Sequence, residues 1–165
     1  MKSLSVIVIA SLSILMTILS ITPISCNKDK CKTTTCANGG VCNGGSCTCA
    51  SGYEGTNCET ISRAKFLGNW SQSESSSVTS PGQFSVSAQA ATGITNLIIK
   101  NFNNSFTQYV SAYVSNKDSL IIPIQGLQGK IVEGYCYFAN SNNIIVHYDI
   151  TDSVTKLVTT INTKW

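Results

Sequence analysis

A chain of 165 residues has room for one ordinary domain, or for a small and a medium module. Charged residues make up 12%, against roughly 25% in soluble domains generally, and Ser, Thr, Asn and Gly carry the polarity instead. Net charge is +3, with Lys28, Lys30 and Lys32 clustered near the start and basic residues sparse afterwards. That is too little positive charge to neutralise a phosphate backbone, which sets nucleic-acid binding aside.

Residues 1–25 read as a signal peptide. Lys2 gives a positive start, Val6 to Ile21 is apolar apart from Ser and Thr, Pro23 breaks the run and small Ser25 precedes Cys26. The uncharged run from Ser3 to Asn27 is also long enough to span a bilayer uncleaved. Either reading exports the rest of the chain to a compartment where disulfides persist. The stretch Ile24-Ser25-Cys26 resembles a bacterial lipobox, with Pro23 where Leu is usual. The resemblance implies that Cys26 becomes a lipidated N-terminus, carrying diacylglycerol on its sulfur and a further acyl chain such as palmitate. Residues 26–30 would then be a tether to the membrane, most simply the outer one, since several chains anchor durably where one does not. Ordinary cleavage would instead leave Cys26 a plain thiol.

Between Cys31 and Cys58 lie six cysteines and almost no apolar side chains besides Ala37, Val41, Ala50 and Tyr53. A segment this short cannot bury a core, so covalent staples must replace it. Zinc is a poor fit, because no His lies nearby and the compartment is oxidising. Spacing alone leaves the disulfide pairing open. The tail from Cys47 to Cys58, C-x-C-x-x-G-Y-x-G-x-x-C, and the Asn38-Gly39-Gly40 turn before Cys42 resemble an EGF-like domain. That resemblance implies the pairs Cys31–Cys42, Cys36–Cys47 and Cys49–Cys58. Some members of the family bind calcium through oxygens just before the first cysteine. Here Lys28 and Lys30 interrupt Asn27 and Asp29, so no calcium is expected. Val41 stands where a sugar-accepting Ser or Thr would be needed. The module, residues 31–58, is expected to act as a rigid spacer, followed by a linker over 59–65.

From residue 66 to 165 the chain reads as β-structure. Phe84, Val86, Ala88 and Ala90 alternate with polar neighbours. Val110, Ala112 and Val114 face away from Tyr109, Ser111 and Tyr113, and Ile144, Val146, Tyr148 and Ile150 away from Ile145, His147 and Asp149. Runs at 68–75, 83–90, 94–102, 106–115, 119–124, 130–139, 143–151 and 156–164 predict about eight strands. Short connections favour an antiparallel meander closed into a small barrel, with a β-sandwich as the alternative. Pro123 predicts a bulge, a strand end or an edge, and no helix is signalled after residue 60. Gly68-Asn69-Trp70 resembles the G-x-W of the first strand of lipocalin-like barrels, which implies a barrel able to hold a small apolar ligand. A core packed with its own side chains, including Trp70 and Phe138, is the expected filling.

Chemistry-bearing residues are few. His147 and Asp149 share one strand face, but no nucleophile turn accompanies them, so no catalytic residue, cofactor or metal ligand is assigned. Cys136 shares the face of Val132, Gly134 and Phe138, predicting a buried free thiol unless it bridges to an unlipidated Cys26. Together the resemblances describe a bacterial envelope lipoprotein whose EGF-like spacer presents a lipocalin-like β-domain. Its expected role is non-catalytic binding or adhesion to a protein or glycan at the cell surface, through Tyr109, Tyr113, Tyr135 and Tyr137. The alternatives are a carrier of a small apolar ligand, and a soluble secreted EGF-like protein glycosylated at Asn69 or Asn103.

Overall fold

The computed structural model describes residues 30–74 and 83–165. The expected leader and Cys26, with Asn27 and Asp29, lie outside the described residues. Residues Cys31–Trp165 form one compact unit.

Its cysteine-rich part holds two small hairpins, β1 (Val41–Asn43) with β2 (Ser46–Thr48) and β3 (Tyr53–Glu54) with β4 (Thr60–Ile61). Disulfides join Cys31 to Cys42, Cys36 to Cys47 and Cys49 to Cys58, the same pairs that the EGF-like resemblance implied. Each closes a short loop, which by chain entropy contributes about 2–3 kcal/mol.

Eight further strands follow: β5 (Gly68–Glu74), β6 (Gln83–Ala90), β7 (Asn96–Lys100), β8 (Val110–Asn116), β9 (Ser119–Leu127), β10 (Lys130–Asn140), β11 (Asn143–Asp152) and β12 (Val158–Lys164). Each pairs antiparallel with the next, and β12 returns to β5 through Thr163 opposite Glu74 and Lys164 opposite Ser73, closing a barrel rather than a sandwich. The period-2 pattern decides which side chains enter it. Val86, Leu97, Ile99, Val110, Val114, Leu120, Ile122, Val132, Ile144, Val146 and Tyr148 all point inward and are at most 5% exposed. Cys136 joins them, fully buried and unpaired.

Two expected strands are shorter than their apolar runs. Phe102 and Phe106 belong to the runs at 94–102 and 106–115, yet Phe102 opens a 3-10 turn, Phe102–Asn104, and Phe106 follows it in the loop, both buried at one barrel end. Asn101, Asn103 and Asn104 there adopt left-handed φ of 56°, 53° and 47°, which Asn tolerates better than most residues. On β9 the strand outlasts its expected end at 124. Pro123 and Ile124 together face the single residue Glu133, since Gln125 pairs with Val132 and Ile122 with Gly134. This is a bulge, the arrangement that lets Pro sit in a ladder.

Past that bulge β8 and β9 splay apart, and two glutamine side chains span the gap. Gln125 accepts from the Ser111 amide at 2.8 Å and donates to its carbonyl at 2.9 Å. Gln128 accepts from the Thr107 amide at 3.2 Å and donates to its hydroxyl at 2.7 Å.

The stretch expected as a linker, 59–65, is built into both parts. Thr60 and Ile61 complete the β3–β4 hairpin, and Ser62–Phe66 form a 3-10 turn that seals the other barrel end. Its short length left no periodicity to read. Phe66 is fully buried, its ring centroid 4.8 Å from that of Phe138, and its carbonyl accepts from Trp70 Nε1 at 2.9 Å. Arg63 grips the β6–β7 loop, donating to the carbonyls of Ala91 at 2.8 Å and Asn96 at 2.6 Å, and to that of Gly93. Lys65 Nζ reaches Glu54 and Asp118 at 2.8 Å each. Gly52 packs against the same loop. A Cβ there would meet Ile94 Cγ2 at 2.7 Å and Thr95 Cγ2 at 3.1 Å.

Burial pulls the Lys65 pKa down, but its hydrogen bonds to Asp118 and Glu54 outweigh this and hold it above its ordinary value. The same bond from Lys65 holds Asp118 below its ordinary value. The bridge therefore contributes fully between about pH 4 and about pH 10, and weakens as Asp118 protonates below its depressed pKa or as Lys65 deprotonates above its raised one. With Asp118 half-exposed, the contribution is below about 1 kcal/mol. Lys65→Met is expected to lower the urea midpoint slightly at pH 6 and to leave a smaller difference from wild type at pH 2. Phe66→Ala is expected to destabilise by about 3–5 kcal/mol in the same urea titration, through transfer and cavity costs together.

Candidate functional site

Antiparallel register brings outward side chains from successive strands into one row. Tyr113 of β8 lies opposite Ile121 of β9, Ile121 opposite Tyr135 of β10, Tyr135 opposite His147 of β11, and His147 opposite Asn162 of β12. Tyr135 and Tyr137 alternate outward along β10 and are 48% and 38% exposed. With His147 they make a cluster of three rings. Centroids of Tyr135 and His147 are 5.0 Å apart, those of Tyr137 and His147 6.2 Å, and those of the two tyrosines 6.4 Å. The tyrosine planes lie within 17° of each other. His147 Nδ1 is hydrogen-bonded to Asn162 Oδ1, which fixes the ring.

Beside the rings runs an open groove of about 500 Å³, whose walls include Pro123, Ile124, Glu133, Tyr135, His147 and Asp149. Ile124, thrown outward by the bulge, is 70% exposed at its edge. Glu133 and Asp149 sit directly opposite each other on β10 and β11. Like charges in that position destabilise a sheet. Oδ1 of Asp149 is buried and makes no hydrogen bond, the one such side-chain atom among the described residues. Between these carboxylates and the rings stands Gly134. A Cβ there would come within 2.3 Å of the His147 carbonyl and 2.7 Å of Tyr148 Cα, so any side chain would push β11 away and break up the cluster.

The structure thus gathers Tyr113, Tyr135, Tyr137, His147 and Asp149 on one face. Tyr109, outside β8 and 54% exposed, stands at a separate groove with Lys100, Ser111 and Gln125. Among the described residues no group of three or more His, Cys, Asp or Glu is placed to hold a metal. Asn162 and Gly134 were not singled out by the sequence. A glycine inside an otherwise bulky strand run signals close backbone approach, whereas Asn162 enters only through the β11–β12 register.

The barrel interior carries a polar chain that the alternation did not disclose. Trp165 Nε1 donates to Gln72 Oε1 at 2.9 Å, Gln72 Nε2 donates to the Tyr148 hydroxyl at 3.2 Å, and that hydroxyl donates to Asn103 Oδ1 at 2.9 Å. Gln72 is fully buried. This chain runs through the barrel interior among the apolar core residues. A hollow of about 370 Å³ is left at the mouth, lined by Phe106, Ile150 and Ile161 together with polar residues such as Gln128 and Lys130. Comparison with protein-family models, with curated proteins and with solved structures finds no match to this chain.

Burial pushes the Cys136 thiol up to about 12, and its hydrogen bond with the Leu120 backbone offsets only part of this. The thiolate is the reactive form, so Cys136 is expected to resist a disulfide reagent at pH 8 in the folded protein. It is expected to label fully in guanidinium, with peptide mapping assigning the label. Labelling at equal rates with and without denaturant would contradict its burial.

Proposed function

We propose that this chain is a non-catalytic, lipid-anchored surface lipoprotein of a bacterial envelope. In this reading the signal peptide is removed before Cys26, and Cys26 carries the diacylglycerol and acyl chains. The cysteine-rich segment serves as an EGF-like base for a lipocalin-like barrel that binds a partner at the cell surface. The observation that carries the reading is the exposed ring cluster beside an open groove on a barrel whose interior is already filled. Function has then to sit on the outside. Among the described residues, the mouth hollow beside Phe106 and Ile150 is where a carrier of a small apolar ligand would hold it.

The base adds to this. Glu54, paired with Lys65, and Gly52, packed against Ile94, join the EGF-like segment to the barrel, as a base for the binding module would require. The soluble, glycosylated alternative is weaker at Asn103, whose side-chain oxygen is engaged by Tyr148. Asn69 is exposed and remains open to it.

Mass spectrometry of the unreduced protein from its native host tests the anchor. A peptide beginning at Cys26 with a thioether-linked diacylglycerol and an acylated amine is expected. An unmodified Cys26, or one bridged to Cys136, would sink the lipoprotein reading and leave a soluble secreted protein.

A further inference from the structure

The chemistry of the outer groove narrows the kind of partner, an inference that rests on the barrel being the binding module proposed above. Members of the row Tyr113, Ile121, Tyr135, His147 and Asn162 come from adjacent strands. They therefore recur at the inter-strand spacing of roughly 4.8 Å, a step close to the length of one pyranose unit. A pyranose offers an apolar C–H face and a rim of hydroxyls. The rings of Tyr135, Tyr137 and His147 supply the apolar surface that such a face packs on.

Polar groups of the groove suit the rim. As carboxylates, Glu133 and Asp149 are acceptors and not donors, and hydroxyl donors to a carboxylate make strong, short bonds. The Asp149 Oδ1 acceptor is without a partner in the protein. Asn162, also at the groove, holds His147 through its Oδ1 and keeps its amide nitrogen as a donor to a sugar oxygen. No lysine or arginine is among the groove's lining residues. Two carboxylates without a counter-cation repel uronic acids and sulfated sugars, and an apolar ligand would bury them without hydrogen bonds.

We propose that this groove binds a neutral oligosaccharide laid across β9 to β12. Sugar faces pack on Tyr135 and His147, while Asp149, Glu133 and Asn162 take the hydroxyls. A cationic peptide is the rival that the two carboxylates would also attract.

The purified full-length protein is to be tested on an array of neutral and acidic oligosaccharides together with poly-lysine. The best ligand is then titrated calorimetrically against variants. Binding of neutral glycans alone is expected, with Tyr135→Ala and Asp149→Asn each about ten-fold weaker and Tyr135→Phe close to wild type. Thermal unfolding of each variant separates lost binding from lost folding. A blank array, a preference for acidic glycans or poly-lysine, or binding unchanged in both weakened variants would overturn the assignment. Adhesion of the wild-type protein to whole cells alongside a blank array would retire the glycan while leaving the binding module in place. Absence of both would retire both.

Discussion

Closure of the sheet is the constraint on which the rest depends. Eight strands make a barrel just wide enough for side chains to fill, and here they fill it, with a polar chain from Trp165 through Gln72 and Tyr148 to Asn103 set among aliphatic residues. Curling so few strands into a closed wall requires places where backbones come close or ladders slip. Gly134 provides the first and the Pro123–Ile124 bulge the second. Both adjoin the outer groove. The features that let the barrel close therefore also shape the surface available for recognition.

The cysteine-rich segment answers a different problem. It has little to bury, so three disulfides restrict its unfolded chain and the barrel supplies the surface it packs on. The exchange runs both ways through Ser62–Phe66, whose first residues continue the β3–β4 hairpin and whose last fills the barrel end. Arg63 matters here for its reach. Its Nη1 alone meets the carbonyls of Ala91, Gly93 and Asn96, so one side chain ties both ends of the β6–β7 loop to the turn.

Much of this architecture was legible in the residues because period-2 alternation is a strong signal when one face is buried. All eight barrel strands, the inward Cys136 and Tyr148, the outward His147 and Asp149 and the irregularity at Pro123 follow from it. What escaped had no local signature. The 3-10 turns at 62–66 and 102–104 are too short to be periodic, so Phe102 and Phe106 read as strand residues and Phe66 as the start of the β-domain, although they plug the ends. Gln72 occupies a core position that composition would refuse it. It is acceptable only because Tyr148 and Trp165, both far away in sequence, meet its amide. The row from Tyr113 to Asn162 depends on register across five strands. Register in turn depends on the slips at Pro123 and between Val114 and Asn116, which no single strand announces.

The glutamine bridges between β8 and β9 bear on how such a chain stays dispersed. With 12% charged residues and a net charge of +3, it has little electrostatic repulsion to keep copies apart. Open strand edges on a weakly charged β-protein are templates for pairing with another chain. Past the Pro123–Ile124 bulge the β8–β9 ladder parts, and there the Gln125 and Gln128 amides occupy backbone groups of Ser111 and Thr107 that a neighbouring strand would otherwise use. Two neutral side chains thereby act as gatekeepers against intermolecular β-pairing at this seam of the wall.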